Sequence, residues 1–495
     1  MIPRHFVLFS VLALAGCDWP GKDGPARSLA LAECRLPGVE SVAQCGKLEV
    51  WEDREAKSGR RIALKVVVVP ARSRAREPDP IFILAGGPGQ GAVSLVAQVM
   101  PLFSRLNTSR DLVFIDQRGT GESHPLNCND DGGLTVESML EDRIPEELVV
   151  ECLKKLDADP RQYVTTIAMR DIDDVRQALG YAKINLWGGS YGTRAALEYI
   201  RLFPAHVRSA VLDGVAPATM QLPLSFTFDG DSAFESLLVA CEAEKGCREA
   251  YPKLREDIAY LRVSLRAKPV KVAVADPLTG VEDAIPVTEP GFLASLFRPL
   301  YVAELASLLP LGITSAREGN FNPLFAQNFE MAEDIGDDLA VGMHLSVVCS
   351  EDVPRITPEA LASAGKGFFG RALVDDFINA CKHWPRGPVD PAFYDPVRSD
   401  VPVLLLSGGI DPATPPRHAE YVARTLPNAR HLVAPNIGHG VSMHGCAPKL
   451  IEKFIKSGSG AELDGACLAR IPRPLFALPL GARPSGGKQG KAARK

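Results

Sequence analysis

The 495-residue chain has little surplus charge of either sign: 55 Lys+Arg stand against 60 Asp+Glu, a formal net charge of −5. Without a basic field it offers nothing for a phosphate backbone, so nucleic acid is excluded as a main partner. After the first residues, no apolar run is long enough to cross a bilayer. There is no Cys-x-x-Cys and no His pair at ligand spacing, which argues against structural zinc. Nothing in the sequence calls for a metal or an organic cofactor. The 43 Gly and 40 Pro keep no Gly-X-Y period, so a collagen-like rod is out, and there is no internal repeat. What is there is 46% apolar and 23% charged, an ordinary globular composition. The length allows two or three domains, or one large core with an insertion.

The 11 Cys are an odd number, and the first residues account for the odd one. Met1 to Gly16 reads as an export signal: Arg4 and His5 precede the apolar stretch Phe6 to Ala15. Leu14-Ala15-Gly16-Cys17 is similar to a bacterial lipobox, which makes Cys17 a diacylated first mature residue. The expected location is the periplasm or cell envelope, with the lipid as the only membrane contact. The other ten Cys then lie in an oxidising compartment, which favours disulfides. Sequence alone leaves the connectivity open. Nearest-neighbour pairing uses all ten: Cys34–Cys45, Cys128–Cys152, Cys241–Cys247, Cys349–Cys381 and Cys446–Cys467.

Short apolar strands alternate with helices in two blocks. The first runs from about residue 46 to 220 and the second from 399 to 472. Continuous apolar runs such as those near residues 80–85, 111–115 and 184–187 predict a mostly parallel sheet buried on both faces and flanked by helices. Residues 221–398 interrupt it after the sixth core strand, at 207–213, with mainly helical patterns. One split α/β core with an inserted lid fits better than separate domains. Residues 17–45 read as a linker. Residues 473–495, Pro/Gly-rich and then basic, read as a disordered tail.

The chemistry sits at strand ends. Gly188-Gly189-Ser190-Tyr191-Gly192 follows a strand and opens a helix, the setting of a nucleophile elbow, with Ser190 as nucleophile. A serine hydroxyl needs a base, and the elbow's partners come in the order acid, then histidine. Asp411 lies just past a strand and His439 in the loop after the next one. His439 is assigned as general base and Asp411 as the acid that orients it, with Asp213 as the rival acid. His444 and His418 are decoys. His124, His206, His344, His383 and His431 carry no local signal. Gly86-Gly87-Pro88-Gly89 is expected to complete the oxyanion hole through the Gly87 N–H, beside the Tyr191 N–H. The same stretch imitates a dinucleotide loop, but Pro88 stiffens it and has no N–H to offer a phosphate.

Gly-Gly-Pro-Gly, Asp116-Gln117-Arg118-Gly119-x-Gly121-x-Ser123 and Gly188-Gly189-Ser190-Tyr191-Gly192-Thr193 together resemble the prolyl and tripeptidyl aminopeptidase branch of α/β-hydrolase serine peptidases. Val211-Leu212-Asp213-Gly214-Val215, Asp411-Pro412-Ala413-Thr414-Pro415, Gly438-His439-Gly440, Cys349-Ser350-Glu351 and Cys381-x-x-Trp384 resemble its tripeptidyl side, with its C-terminal segment. Many relatives have His before Gly-Gly-Pro-Gly, where this chain has Ala85. The resemblance implies an α/β-hydrolase fold and release of residues or short peptides from free N-termini. That reaction needs an anionic site for the substrate ammonium. The lid is more acidic than the chain as a whole. Glu351 is the favoured candidate, ahead of a solvated stripe at Glu330, Glu333, Asp334, Asp337 and Asp338. The expected substrate is a peptide or a small acyl compound. The rival readings are an esterase or small amidase with the same triad, and a lipid-anchored binding protein without turnover.

Overall fold

A computed structural model describes residues 29–128, 146–275, 282–335 and 339–479. The export segment, Cys17 and residues 480–495 lie outside the described residues, as do the side chains of the acidic stripe.

Among the described residues eleven strands form: β1 (Ala32–Cys34), β2 (Ala43–Trp51), β3 (Arg61–Val69), β4 (Ile81–Leu84), β5 (Leu112–Ile115), β6 (Ile184–Gly189), β7 (Val207–Asp213), β8 (Val270–Ala275), β9 (Glu282–Val287), β10 (Val403–Gly408) and β11 (Ala429–Ala434). Nine of them make one sheet in the order β1-β2-β3-β5-β4-β6-β7-β10-β11. It is antiparallel from β1 through β3 to β5 and parallel from β5 onward. Every residue of β4 and β5 is buried, because helices cover both faces there. Strand β2, one in from the edge, instead alternates, with Leu48 and Val50 inward and Lys47 and Glu49 outward.

Between β7 and β10 the chain builds the lid. Helices Leu224–Ala243, Leu254–Ala267, Glu289–Phe297 and Leu309–Arg317, with the antiparallel pair β8–β9, enclose a core of their own around Phe292, Leu296, Leu309, Leu324 and Phe369. The lid is also bound to the sheet domain at Asp229, which accepts hydrogen bonds from Arg417 (2.7 Å) and pairs with His418 (3.0 Å).

Two boundaries differ from the sequence reading. The expected linker contributes β1, so among the described residues β7 is the seventh strand of the sheet-forming run, with the six expected core strands β2 to β7 following β1. A three-residue strand carries too little pattern to be seen in advance; its pairing to β2 is pinned by the Cys34–Cys45 disulfide. The expected disordered tail is docked as far as residue 479. Phe476 is buried in the lid core, Tyr251 donates to the Ala477 carbonyl (2.6 Å), and Ala477 N–H donates to the Ser307 carbonyl (3.2 Å). This stretch is irregular backbone that borrows its partners from the lid, so no periodicity announces it. All ten described Cys pair with their sequence neighbours, at Cα–Cα distances from 4.9 to 6.3 Å.

Candidate active site

The parallel strands β6, β7, β10 and β11 lie side by side and end at one edge. At the end of β6, Ser190 takes φ 54° and ψ −123° before helix Tyr191–Leu202 begins. This left-handed backbone is strained for a serine and is held from both sides. Ser190 N–H donates to Asp213 O (2.8 Å), and Thr193 Oγ1 donates to Ser190 O (2.6 Å). The flanking glycines are required sterically. A Cβ at Gly188 would run into Gly192 O, and one at Gly192 into Leu84 O. The hydroxyl is thus lifted off the sheet at the N-terminus of a helix, which favours developing negative charge.

Asp411 follows β10 and His439 follows β11. Their side chains meet at 2.8 Å, Oδ2 to Nδ1. The Asp411 carboxylate is fully used: it also accepts from Ala413 N–H (2.8 Å), Thr414 N–H (2.9 Å) and Thr414 Oγ1 (2.7 Å). Thr414 Oγ1 is also 3.0 Å from His439 Nδ1, so the imidazole N–H is shared between Asp411 and Thr414. That arrangement puts the proton on Nδ1 and leaves Nε2 as a base. Burial pushes the Asp411 carboxyl up, but the His439 charge and hydrogen bonds outweigh it and hold the carboxyl below its ordinary value. Burial likewise opposes a charge on His439, and the Asp411 charge more than restores it, so His439 lies above its ordinary value. The ring packs close to Gly214, next to Asp213, whose carbonyl holds Ser190 N–H: a Cβ at Gly214 would be 3.1 Å from His439 Cε1.

Asp213, the rival acid, has a different task. Both its oxygens accept from Val441 N–H and one from Ser442 N–H, at 2.7–2.9 Å. It fixes the loop that carries His439 and makes no hydrogen bond to the ring. Burial raises its carboxyl, while these N–H donors and the His439 charge pull the other way.

The Gly-Gly-Pro-Gly loop lies against the elbow: a Cβ at Gly86 would be 3.3 Å from Ser190 Cβ. Gly87 is solvent-exposed, with φ 103°, a conformation few other residues accept. Its N–H and that of Tyr191 are the two candidate donors to an oxyanion. The lid reaches both the loop and the base. Ala340 N–H donates to Gly89 O (3.0 Å), and His344 Nδ1 bonds Pro88 O (2.9 Å). Tyr301 O accepts from His439 N–H (2.8 Å), and the Tyr301 ring stands edge-on to the imidazole at 5.1 Å.

Glu351 is placed otherwise than the ammonium role requires. It is 1% exposed, in a π-helical turn at Val348–Asp352. Its carboxylate accepts from Thr165 N–H (2.7 Å) and Thr165 Oγ1 (3.0 Å) and faces Arg194 at 3.5 Å. A carboxylate spent on internal donors has no face left for a substrate. The Asp116-Gln117-Arg118 motif is also structural. Arg118 is fully buried on Asp171 and on the carbonyls of Glu52 and Gln162. Asp116 accepts from Val93 and Glu122 N–H. Sequence reasoning missed Thr414, Tyr301 and His344. Only Thr414 left a signal, in the Asp-x-x-Thr spacing of an Asx turn.

Residues 79–235 match the family described as alpha/beta hydrolase fold, and residues 366–467 match the family described as TAP-like protein. Sheet order, elbow and matched segment together show the α/β-hydrolase fold, and the C-terminal segment is similar to the TAP-like family. Over most of its length it is similar to serine protease Hip1 of Mycobacterium tuberculosis, with 24% identity over 90% of each chain. It is equally similar to tripeptidyl aminopeptidase of Streptomyces coelicolor, with 24% identity over 93% of this chain and 88% of that protein. A shorter match, 30% identical over 42% of this chain and 43% of the relative, is to carboxylesterase B of Mycobacterium tuberculosis.

Proposed function

We propose that this hydrolase is an exported serine aminopeptidase that releases residues or short peptides from free N-termini. The observation that carries the catalytic part is the Asp411–His439 pair, at the same sheet edge as the strained Ser190 elbow. Ser190 Oγ attacks the scissile carbonyl while His439 Nε2 takes its proton. Asp411 and Thr414 hold the imidazolium by Nδ1–H. The tetrahedral oxyanion is met by the Tyr191 and Gly87 N–H groups. His439 then protonates the departing amine, and an acyl-Ser190 remains. Water, deprotonated by His439, attacks the ester and frees the acid, returning the proton to Ser190.

The names of the two long relatives support the peptidase assignment. Met1 to Gly16 with Cys17, and five disulfides suited to an oxidising compartment, support export and a lipid tether. The shorter match to a carboxylesterase favours a second reading, an esterase with the same triad. The assay that separates them uses the mature chain and Ser190→Ala. It compares free-amine tripeptidyl amides, their N-blocked versions and short acyl esters. Ser190-dependent preference for free amines is expected. Ester-only turnover moves the assignment to esterase, and no turnover at all to a binding protein.

A further inference from the structure

We propose that both halves of the oxyanion hole are held in register by one continuous lid segment, residues 339–355, and that His344 is the positioning residue for the Gly87 half. This rests on Ser190 being the nucleophile.

The segment runs without a break through helix Val341–Val347, the π-helical turn Val348–Asp352 and the short turn Val353–Arg355. Its first end grips the Gly-Gly-Pro-Gly loop. Ala340 N–H binds Gly89 O, Leu339 bridges Gln90, and His344 Nδ1–H binds Pro88 O. Three of these four loop residues are glycines, so side chains cannot fix the loop. Its internal bond, Gln90 N–H to Gly86 O, is long at 3.4 Å. The carbonyls that immediately follow Gly87 are therefore aimed by lid donors, and with them the Gly87 N–H.

The other end grips the elbow helix. Asp352 takes Arg194 in a fork, at 2.9 and 3.1 Å. Glu351 binds Thr165, whose Oγ1 accepts from Tyr191 OH at 2.7 Å. Tyr191 and Arg194 are three apart and share one face of the helix. Tyr191 also supplies the second candidate oxyanion donor. Between the two grips the segment is buried at Val347, Val348 and Cys349, and Cys349 is stapled to Cys381. A rigid bar thus spans the two donors, and its fit sets the distance between them.

An oxyanion donor acts only in the transition state, so displacing it lowers kcat and spares KM. Loss of a whole donor costs about 100- to 1,000-fold in kcat. Misplacing one through its support should cost less, about 10- to 100-fold. The test measures esterase kinetics and affinity for a boronic acid, which carries a tetrahedral anionic centre when bound to serine, for the unaltered chain, His344→Leu, His344→Gln and His344→Asn. Asn offers an N–H near the place of Nδ1, and Gln does not. The expected result is a matched fall in kcat and boronate affinity in His344→Leu and His344→Gln, with KM within about 2-fold. Most of both should return in His344→Asn. Unchanged kcat in His344→Leu overturns the assignment, as does His344→Asn behaving no better than His344→Gln. The second comparison decides the matter should the Leu variant fail to fold. Absence of Ser190-dependent turnover in the unaltered chain would instead defeat the nucleophile reading itself.

Discussion

The carboxylate of Asp411 meets the imidazole of His439 at 2.8 Å across the ends of two neighbouring parallel strands, β10 and β11. Burial lowers the imidazole and the Asp411 charge raises it, with a net upward displacement from 6.5. Because His439 must be neutral to act as base, kcat/KM should rise with pH through an inflection above 6.5. Asp411→Asn removes the charge that raises it and frees the wrong tautomer. The inflection should then move down, and kcat should fall by about 10⁴. A pH–rate profile of both proteins checks this; an unmoved inflection would show that Asp411 does not set the base.

Thr414 Oγ1 donates to Asp411 and shares the His439 N–H. Thr414→Val keeps the shape and deletes both bonds. The expected outcome is a kcat lower by about 10-fold and a stability loss of about 1 kcal/mol, the net worth of a buried hydrogen bond. Thr414→Ser should restore most of the activity, as steady-state kinetics will show.

Glu351 is buried, and burial together with the Asp352 charge, opposed by Arg194 and the Thr165 hydrogen bonds, pushes its carboxyl up from 4.5 to about 7. The folded chain then holds a proton that the unfolded chain has released, so stability falls as pH rises from 4.5 to about 7. Glu351→Gln should flatten that decline, measured as urea midpoints at pH 5 and pH 8. On substrates, Glu351→Gln should change free-amine and N-blocked compounds alike, since no face of the carboxylate is free for an ammonium. A selective loss on free amines would restore the recognition role expected from sequence.

Phe476 ties the C-terminal stretch into the lid core. Phe476→Ala should destabilise the protein by about 3 kcal/mol, the lower end for a buried aromatic truncation. Ending the chain after Pro472 should lower the melting temperature at least as far. Calorimetry on both variants checks the claim, and an unchanged melting temperature would mean the docked stretch contributes nothing.

The sheet was legible because its central strands are short, wholly apolar runs, as in Ile81–Leu84 and Leu112–Ile115. The elbow was legible because sterics at Gly188 and Gly192 leave almost no other sequence that works. The order Ser190, Asp411, His439 marked the partners, since each follows a strand. What stayed hidden depends on contacts between distant residues. Thr193 and Thr414 are local and could have been found from spacing. His344 could not: its partner Pro88 is 256 residues away, and a lone histidine on a helix shows no sign of where its ring goes. Glu351 was misjudged for the same reason, because sequence shows a carboxylate but not the Thr165 and Arg194 that occupy it. β1 and residues 473–479 were missed because short or irregular backbone has no period to read.

The most direct test of the account is rapid mixing of the mature chain with an activated ester, followed by mass spectrometry of the Ser190 peptide. The account predicts a burst of one leaving group per enzyme and an acyl group on Ser190, with neither in Ser190→Ala. A chain that turns over the ester without acylating Ser190, or a Ser190→Ala variant as active as the parent, would contradict it.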